Sequence, residues 1–360
     1  MARLSRYLLG LFWSEAMALF AVAAFLLFLI QCLRLFDDLA QKGQSLFTML
    51  GQALLGMPAL GTGFLYVCLG IGLGRALRTL QGNSELQVMH VNALLPALVR
   101  AILAYIAMGA LLLLLLAHIV TPLSQRLLGD WTAQIAADVV SRSMVPHKIV
   151  ALSNGVSVTM DARDASGDIT GFFADDNRNP KARRTYFART AIITRDTEGY
   201  VLRMQDGAIQ QFNEGGHLSE FRFGRYDLNV DELTGKPSFS GGTEQTSFGL
   251  VAQALAAKSW PPEITAELLR RSVEALRVIA ICLLVAALAM FPSGDRRPAQ
   301  VPMEFVVLGA AFVERGFGTF VPLPGPLAQA SGPLLLAFAA LALLAFRLQI
   351  FSGMPQRRSA

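Results

Sequence analysis

The chain has 360 residues, of which 53% are hydrophobic and only 16% charged, with a mean hydropathy of +0.46 and a net charge of +5. Soluble globules carry nearer a quarter charged residues, so an all-soluble protein is excluded. Residues 130–270 hold 15 Lys/Arg and 18 Asp/Glu while the rest holds 16 and 8; the basic excess lies at the ends of apolar segments, where membrane topology accounts for it without nucleic acid.

A membrane span needs about 20 apolar residues. The candidates, in chain order, are Tyr7–Leu33, Leu46–Leu73, Leu98–Pro122, Val273–Phe291, Val301–Val321 and Leu327–Phe351. The third contains six consecutive leucines, Leu111 to Leu116, whereas the fifth is interrupted by Glu304, Glu314 and Arg315. The first apolar stretch is too long for the hydrophobic region of a cleaved signal. Short-loop Lys/Arg residues set orientation. With the N-terminus inside, Arg3, Arg6, Arg75, Arg78, Arg100, Arg296, Arg297, Arg347, Arg357 and Arg358 collect on one side, and only Arg34, Lys42 and Arg315 on the other. Both termini are therefore expected in the cytoplasm of a bacterial inner-membrane protein, with the block between spans three and four in the periplasm.

Between spans two and three, Gly74–Pro96 reads GRALRTLQGNSELQVMHVNALLP. Asn83 or Ser84 can cap a helix starting at Glu85, whose charge suits a helix N-terminus. Leu86, Val88, Met89 and Val91 make an apolar stripe too short to span. Such a helix on the cytoplasmic face lies on lipid or docks a partner. With His90 the one basic-type residue after Arg78, docking is favoured.

The polar block runs from about Ser124 to Leu268. Trp131, Ile135, Val139 and Val140 predict a short helix over Asp130–Val145. Then Lys148–Met160, Ile169–Ala174, Tyr186–Arg195, Tyr200–Gln205, Ala208–Phe212 and Leu218–Val230 read as strands. Turn signals separate them: Asn154-Gly155, Ser166-Gly167-Asp168, Asp175-Asp176-Asn177, Glu198-Gly199, Asp206-Gly207 and Glu214-Gly215-Gly216. Close-spaced strands predict a sandwich or jelly-roll. Inward alternation of Val156, Val158 and Met160, or of Phe221 and Phe223, makes either a closed core or a greasy groove. Gly235–Thr246 reads as a loop, and Pro261-Pro262 ends the domain.

Catalytic and metal chemistry find little footing. Cys32, Cys68 and Cys282 lie in or beside apolar segments, with no C-x-x-C. His90, His118, His147 and His217 are scattered, and no Ser/His/Asp grouping or carboxylate pair emerges. No G-x-x-x-x-G-K-[ST] is present to cradle nucleotide phosphates, so active transport would draw on a partner ATPase. Glu267, Arg270 and Arg271 read as an anchoring cluster, and Arg277 with Glu274 as a paired group deeper in span four.

RYLL near the start, LQGNSELQVMH between spans two and three, and AELLRR before span four resemble the lipopolysaccharide-export permeases, the LptF/LptG (YjgP/YjgQ) family. Val88-Met89-His90 after Ser84-Glu85-Leu86 is more similar to the LptF half. The family usually has a glycine a turn or two after the glutamate, where this chain has Asn92-Ala93. The resemblance implies an α-helical membrane protein of six transmembrane helices with an inserted periplasmic β-jelly-roll: spans one to three over 1–123 with a coupling helix at about 75–96, the jelly-roll over 124–268, and spans four to six over 269–360. It implies a permease without catalytic residues or cofactors of its own, ATP and Mg belonging to a cytoplasmic ATPase dimer (LptB-like). The other implied partners are a second permease (LptG-like), periplasmic bridge proteins (LptC/LptA-like) and lipopolysaccharide. Glu85 matches the family glutamate of the helix that docks into the ATPase, with Leu86, Met89 and His90 beside it; Arg34 matches a basic residue that meets lipid A phosphates. Against these stand plainer expectations: a snorkelling anchor for Arg34, a helix-dipole interaction for Glu85. The rival functions are another ABC-type lipid or lipoprotein exporter and a non-transporting periplasmic scaffold or sensor.

Overall fold

A computed structural model describes residues 2–42, 46–92, 94–143, 146–153, 155–164, 168–179, 183–196, 199–212, 218–229, 245–292, 302–320 and 326–353. The chain divides into two compact units, one of residues 1–125 with 245–360 and the other of residues 126–244. The helical unit takes up again at Gln245, upstream of Leu268.

Apolar runs become long helices: α1 (Ala2–Lys42), α2 (Leu46–Gly82), the short α3 (Glu85–Val91), then α4 (Leu95–Leu115). Past α4 a π-helical turn, Leu116–Val120, leads without a break into α5 (Thr121–Ser143). The short helix expected at Asp130 is thus the far end of a continuous rod, because nothing between Leu111 and Ser143 breaks it save Pro122, placed where a π turn tolerates a missing N–H. After the strands come α6 (Ser247–Ala256), α7 (Pro262–Ala289), α8 (Met303–Phe320) and α9 (Pro326–Gly353). Thr246 caps α6, its hydroxyl accepting from the Gly249 N–H at 3.3 Å.

Among the described residues five helical stretches are long and apolar enough to cross a membrane: Arg3–Phe36, Leu46–Gly82, Leu95–Ile135, Pro262–Ala289 and Leu327–Gln349. The fifth sequence candidate folds as α8, a helix of 18 residues that carries Glu304, Glu314 and Arg315 and does not join them. Leu8, Phe12, Leu69, Leu73, Leu77, Tyr105, Val278 and Ile281 form the helical core. The Tyr105 hydroxyl donates to the Leu69 carbonyl at 2.9 Å, satisfying the polar tip of a fully buried ring.

Among the described residues of the second unit, seven strands form one antiparallel sheet: β1 (Val150–Ser153), β2 (Val156–Thr159), β3 (Ala162–Arg163), β4 (Ile169–Asp176), β5 (Arg184–Asp196), β6 (Gly199–Phe212) and β7 (Leu218–Asn229). The order is β1-β2-β4-β5-β6-β7, with β3 pairing β4, so pairing follows the chain as a meander in one hydrogen-bonded sheet. Its core comes from alternate positions: Val156, Val158, Met160, Phe172, Ala174, Tyr186, Leu202, Met204 and Leu228. Phe223 packs against that core while Phe221 is exposed, so of the two alternations foreseen the valine set is the closed one. The Gly235–Glu244 part of the expected loop and the Ser166-Gly167 and Glu214-Gly215-Gly216 turns lie outside the described residues.

Asp206-Gly207 is a correction. The two strands expected on either side of this dipeptide are one strand, β6, with an unbroken register: Gln205 faces Arg225 and Gly207 faces Phe223. Asp206 adopts a positive φ of 50°, which aspartate tolerates better than most residues. A Cβ on Gly207 would overlap the Phe187 carbonyl oxygen and the Phe223 ring. The glycine serves a close approach inside the sheet, not a reversal.

Charged pairs line the exposed side of the strands. Arg203 on β6 faces Asp227 on β7 in register and bonds it at 3.1 Å, and Arg225 joins them at 3.1 Å. Arg225, then Arg203, hold the Asp227 carboxyl down to about 2. A depressed carboxylate contributes stability that is present above its ordinary value near 4 and is lost as pH falls toward 2. Asp227→Asn should cost the β6–β7 pairing about 0.2–1 kcal/mol at neutral pH, solvent screening included. Hydrogen exchange of the β7 amides checks this: faster exchange in the variant at pH ~7, with the difference shrinking as pH falls through ~2.

Candidate functional site

The segment between α2 and α4 folds tightly. The Asn83 N–H donates to the Thr79 carbonyl at 3.0 Å and the Ser84 N–H to Gln81 at 3.1 Å, ending α2. Ser84 then turns at φ 61°, and α3 starts at Glu85 with no side-chain cap from Ser84. The reversal thus occupies the position where a capping hydroxyl was expected. At the other end the Asn92 N–H and side-chain amide both donate to the Val88 carbonyl, at 3.0 and 3.1 Å, and the Leu94 N–H donates to Met89 at 2.9 Å. Seven residues are too few to be stable alone; this helix is held by its closures and its inner face.

That inner face is Leu86 and Met89, fully and nearly fully buried in the helical core. His90 is half-buried, with Nδ1 2.8 Å from the Leu86 carbonyl, which fixes that nitrogen as the donor. Its ring lies 6.2 Å from that of Phe291, just beyond α7. The outward face is different: Gln87 and Val88 are exposed, and Val91 is 84% exposed. Glu85 is half-buried at the edge between the faces, accepting from the Asn83 amide at 3.5 Å. So of the four residues singled out from sequence, Leu86, Met89 and His90 anchor the helix, Glu85 sits on its rim, and the apolar pair available to a partner is Val88 and Val91.

Arg34 is exposed on α1 among exposed Ile30, Leu33 and Phe36. The side chains of Asp37 and Asp38 lie outside the described residues. The arrangement presents a cation beside an apolar helix face, the pattern an amphiphile with an anionic head would meet.

Two polar networks link helices in the same unit. Glu267 receives both Arg270 (Nη2, 2.7 Å) and Arg271 (Nε, 2.9 Å), the ion pairing foreseen from their spacing. Unforeseen is what Arg271 does next: its Nη1 donates to Ser247 Oγ at 2.9 Å and to the Gln245 carbonyl at 3.0 Å. His118, on the π turn, places Nδ1 2.7 Å from the same hydroxyl. The network ties α6 to α7 and to the π turn. Deeper in α7, Arg277 pairs with Glu274, as the spacing suggested, and also with Glu314 of α8 at 2.8 Å. The sequence sign of the second partner was that charges, Glu314 among them, interrupt an apolar segment.

None of these clusters resembles a hydrolytic or redox centre, and among the described residues no three metal-ligating side chains converge. A search of curated proteins finds no match to the chain. Residues 6–349 match the family model of the lipopolysaccharide export system permease LptF/LptG, and the chain belongs to that family.

Proposed function

We propose that the chain is the LptF-like half of a permease pair that takes lipopolysaccharide from the inner membrane and passes it to periplasmic bridge proteins, driven by a cytoplasmic ATPase dimer. The observation that carries this reading is α3: a short helix whose Leu86 and Met89 are locked into the membrane unit while Val88 and Val91 are left bare beside Glu85. A chain without a nucleotide-binding loop needs a rigid handle through which a motor can push, and a helix fixed on one face and apolar on the other is such a handle. On this reading α8 is the fifth of six spans. At about 1.5 Å per residue its 18 residues reach some 27 Å, close to the hydrocarbon thickness. Both termini are then cytoplasmic, and the β-unit takes the place of the family's periplasmic jelly-roll. The exposed Phe221 on β7, on the same face as Ile209 and Phe223, gives the core side of that sheet an apolar rim for acyl chains.

Mild-detergent purification followed by mass spectrometry tests the assembly. A second permease and an ATPase should co-purify; recovery of neither overturns the reading. Lipid capture has its own test. Arg34→Glu should lower the lipopolysaccharide that co-purifies by about tenfold, the loss of roughly 1.4 kcal/mol from one charge-assisted phosphate contact. Unchanged lipid content would leave Arg34 a plain interfacial anchor.

A further inference from the structure

Arg277 is the hub of a buried charge cluster that lipid export does not explain. Its Nε donates to Glu314 Oε1 at 2.8 Å, and its Nη1 donates to Glu274 Oε1 one turn earlier on α7. The Glu314 side chain is 1% exposed and that of Arg277 10%. Both second oxygens, Glu274 Oε2 and Glu314 Oε2, are buried without a hydrogen-bond partner. The surroundings bring little relief. From α2, Tyr66 faces the cluster, and Arg315 of α8 is the next cation. Arg315, however, is exposed and engaged elsewhere: its guanidinium stands 5.6 Å over the Tyr66 ring and reaches the Gly63 carbonyl at 3.5 Å. On the α9 side, a Cβ at Gly332 would strike the Glu314 main chain and Cγ, so backbone closes that wall.

One guanidinium thus serves two carboxylates, and two carboxylate oxygens in a low-dielectric interior lack donors. An ionised carboxylate has no hydrogen to give, so these oxygens cannot satisfy one another. A single added proton removes the excess charge and converts one orphan acceptor into a donor, as paired carboxylates do elsewhere. We propose that Glu274, Arg277 and Glu314 form a proton-binding site, in which one of the two carboxyls holds a proton, that fastens α8 to α7. Its ligand is the proton alone; neither lipid nor nucleotide takes part.

Infrared difference spectroscopy on the full-length protein in lipid nanodiscs tests this. At neutral pH the protein should show the carbonyl stretch of a protonated carboxyl, shifted in heavy water. Both Glu314→Gln and Glu274→Gln should abolish it, since either leaves one carboxylate for one guanidinium. Glu314→Asp, which keeps a carboxyl and guards against misfolding of the amide variants, should move the band without removing it. No such band in the native protein overturns the proposal. So does a band that survives both Gln variants, or a thermal midpoint that follows sodium or potassium concentration in place of proton concentration.

Discussion

Gly72→Leu should abolish accumulation of the folded protein, and Gly72→Ala should lower its thermal midpoint, while Gly10→Ala leaves it unchanged or slightly raised. Both residues replaced are helical glycines, so propensity alone favours alanine by about 0.5–1 kcal/mol at each site. The surroundings differ. A Cβ on Gly72 would lie 2.5 Å from the Ala16 Cα and 2.6 Å from its nitrogen, so α1 and α2 touch there backbone to backbone. At Gly10 nothing lies within 4 Å. In lipid, apolar surface alone does not drive helices together; close packing of small residues and internal hydrogen bonds do. The extra methyl must push the helices apart along a contact that also seats Leu8 and Phe12, and overpacking of that kind costs about 1–3 kcal/mol, more for leucine. The midpoint in detergent, read as the monodisperse fraction after heating, decides. Equal midpoints for Gly72→Ala and Gly10→Ala would mean that the α1–α2 contact opens freely.

Helical existence was readable because a run such as Leu111–Leu116 admits little else, and five of the six apolar segments gave membrane-length helices. Strand positions were readable for the same kind of reason, β-branched and aromatic residues between turn signals. The misreading at Asp206-Gly207 shows where such signals fail. The dipeptide that makes a reversal also makes a flat spot on which a neighbouring backbone and the Phe223 ring can rest. Only the partner strand distinguishes the two. The stripe Leu86, Val88, Met89, Val91 was visible in the chain, but which half faced inward depended on where Leu77, Leu80 and Leu98 lie. Arg277 and Glu314 stand 37 positions apart; a carboxylate beside Arg315 in a largely apolar segment announces that a partner exists without saying which. Sequence carries periodicity well, and long-range pairing of single charges poorly.

Glu85→Lys should separate ATP hydrolysis from lipid release, the second large effect expected. Glu85 stands on the rim of α3, partly covered and tied to the Asn83 amide, and the exposed Val88 and Val91 continue the same outer surface. If that surface is where the motor grips, the carboxylate meets a donor that its docking would bury. Reversing the charge leaves that donor unpaired against a like charge, a loss of about 2–5 kcal/mol, or at least some 30-fold in docking affinity. The helix itself should survive, because its hold on the bundle runs through Leu86, Met89 and the Asn92 closure, none of which touches the carboxylate. That distinction makes the test sharp. Leu86→Asp should fail by unfolding the α2–α4 connection. Glu85→Lys should yield a folded permease that still retains co-purified lipid, holds its ATPase at least some 30-fold more weakly and releases nothing while added ATP is hydrolysed. Val88→Asp should share the Glu85→Lys phenotype, since it lies on the outer face and not in the core. Normal ATP-driven release from the Glu85→Lys protein would remove Glu85 from the coupling path and leave it as a charge that favours the start of a short helix.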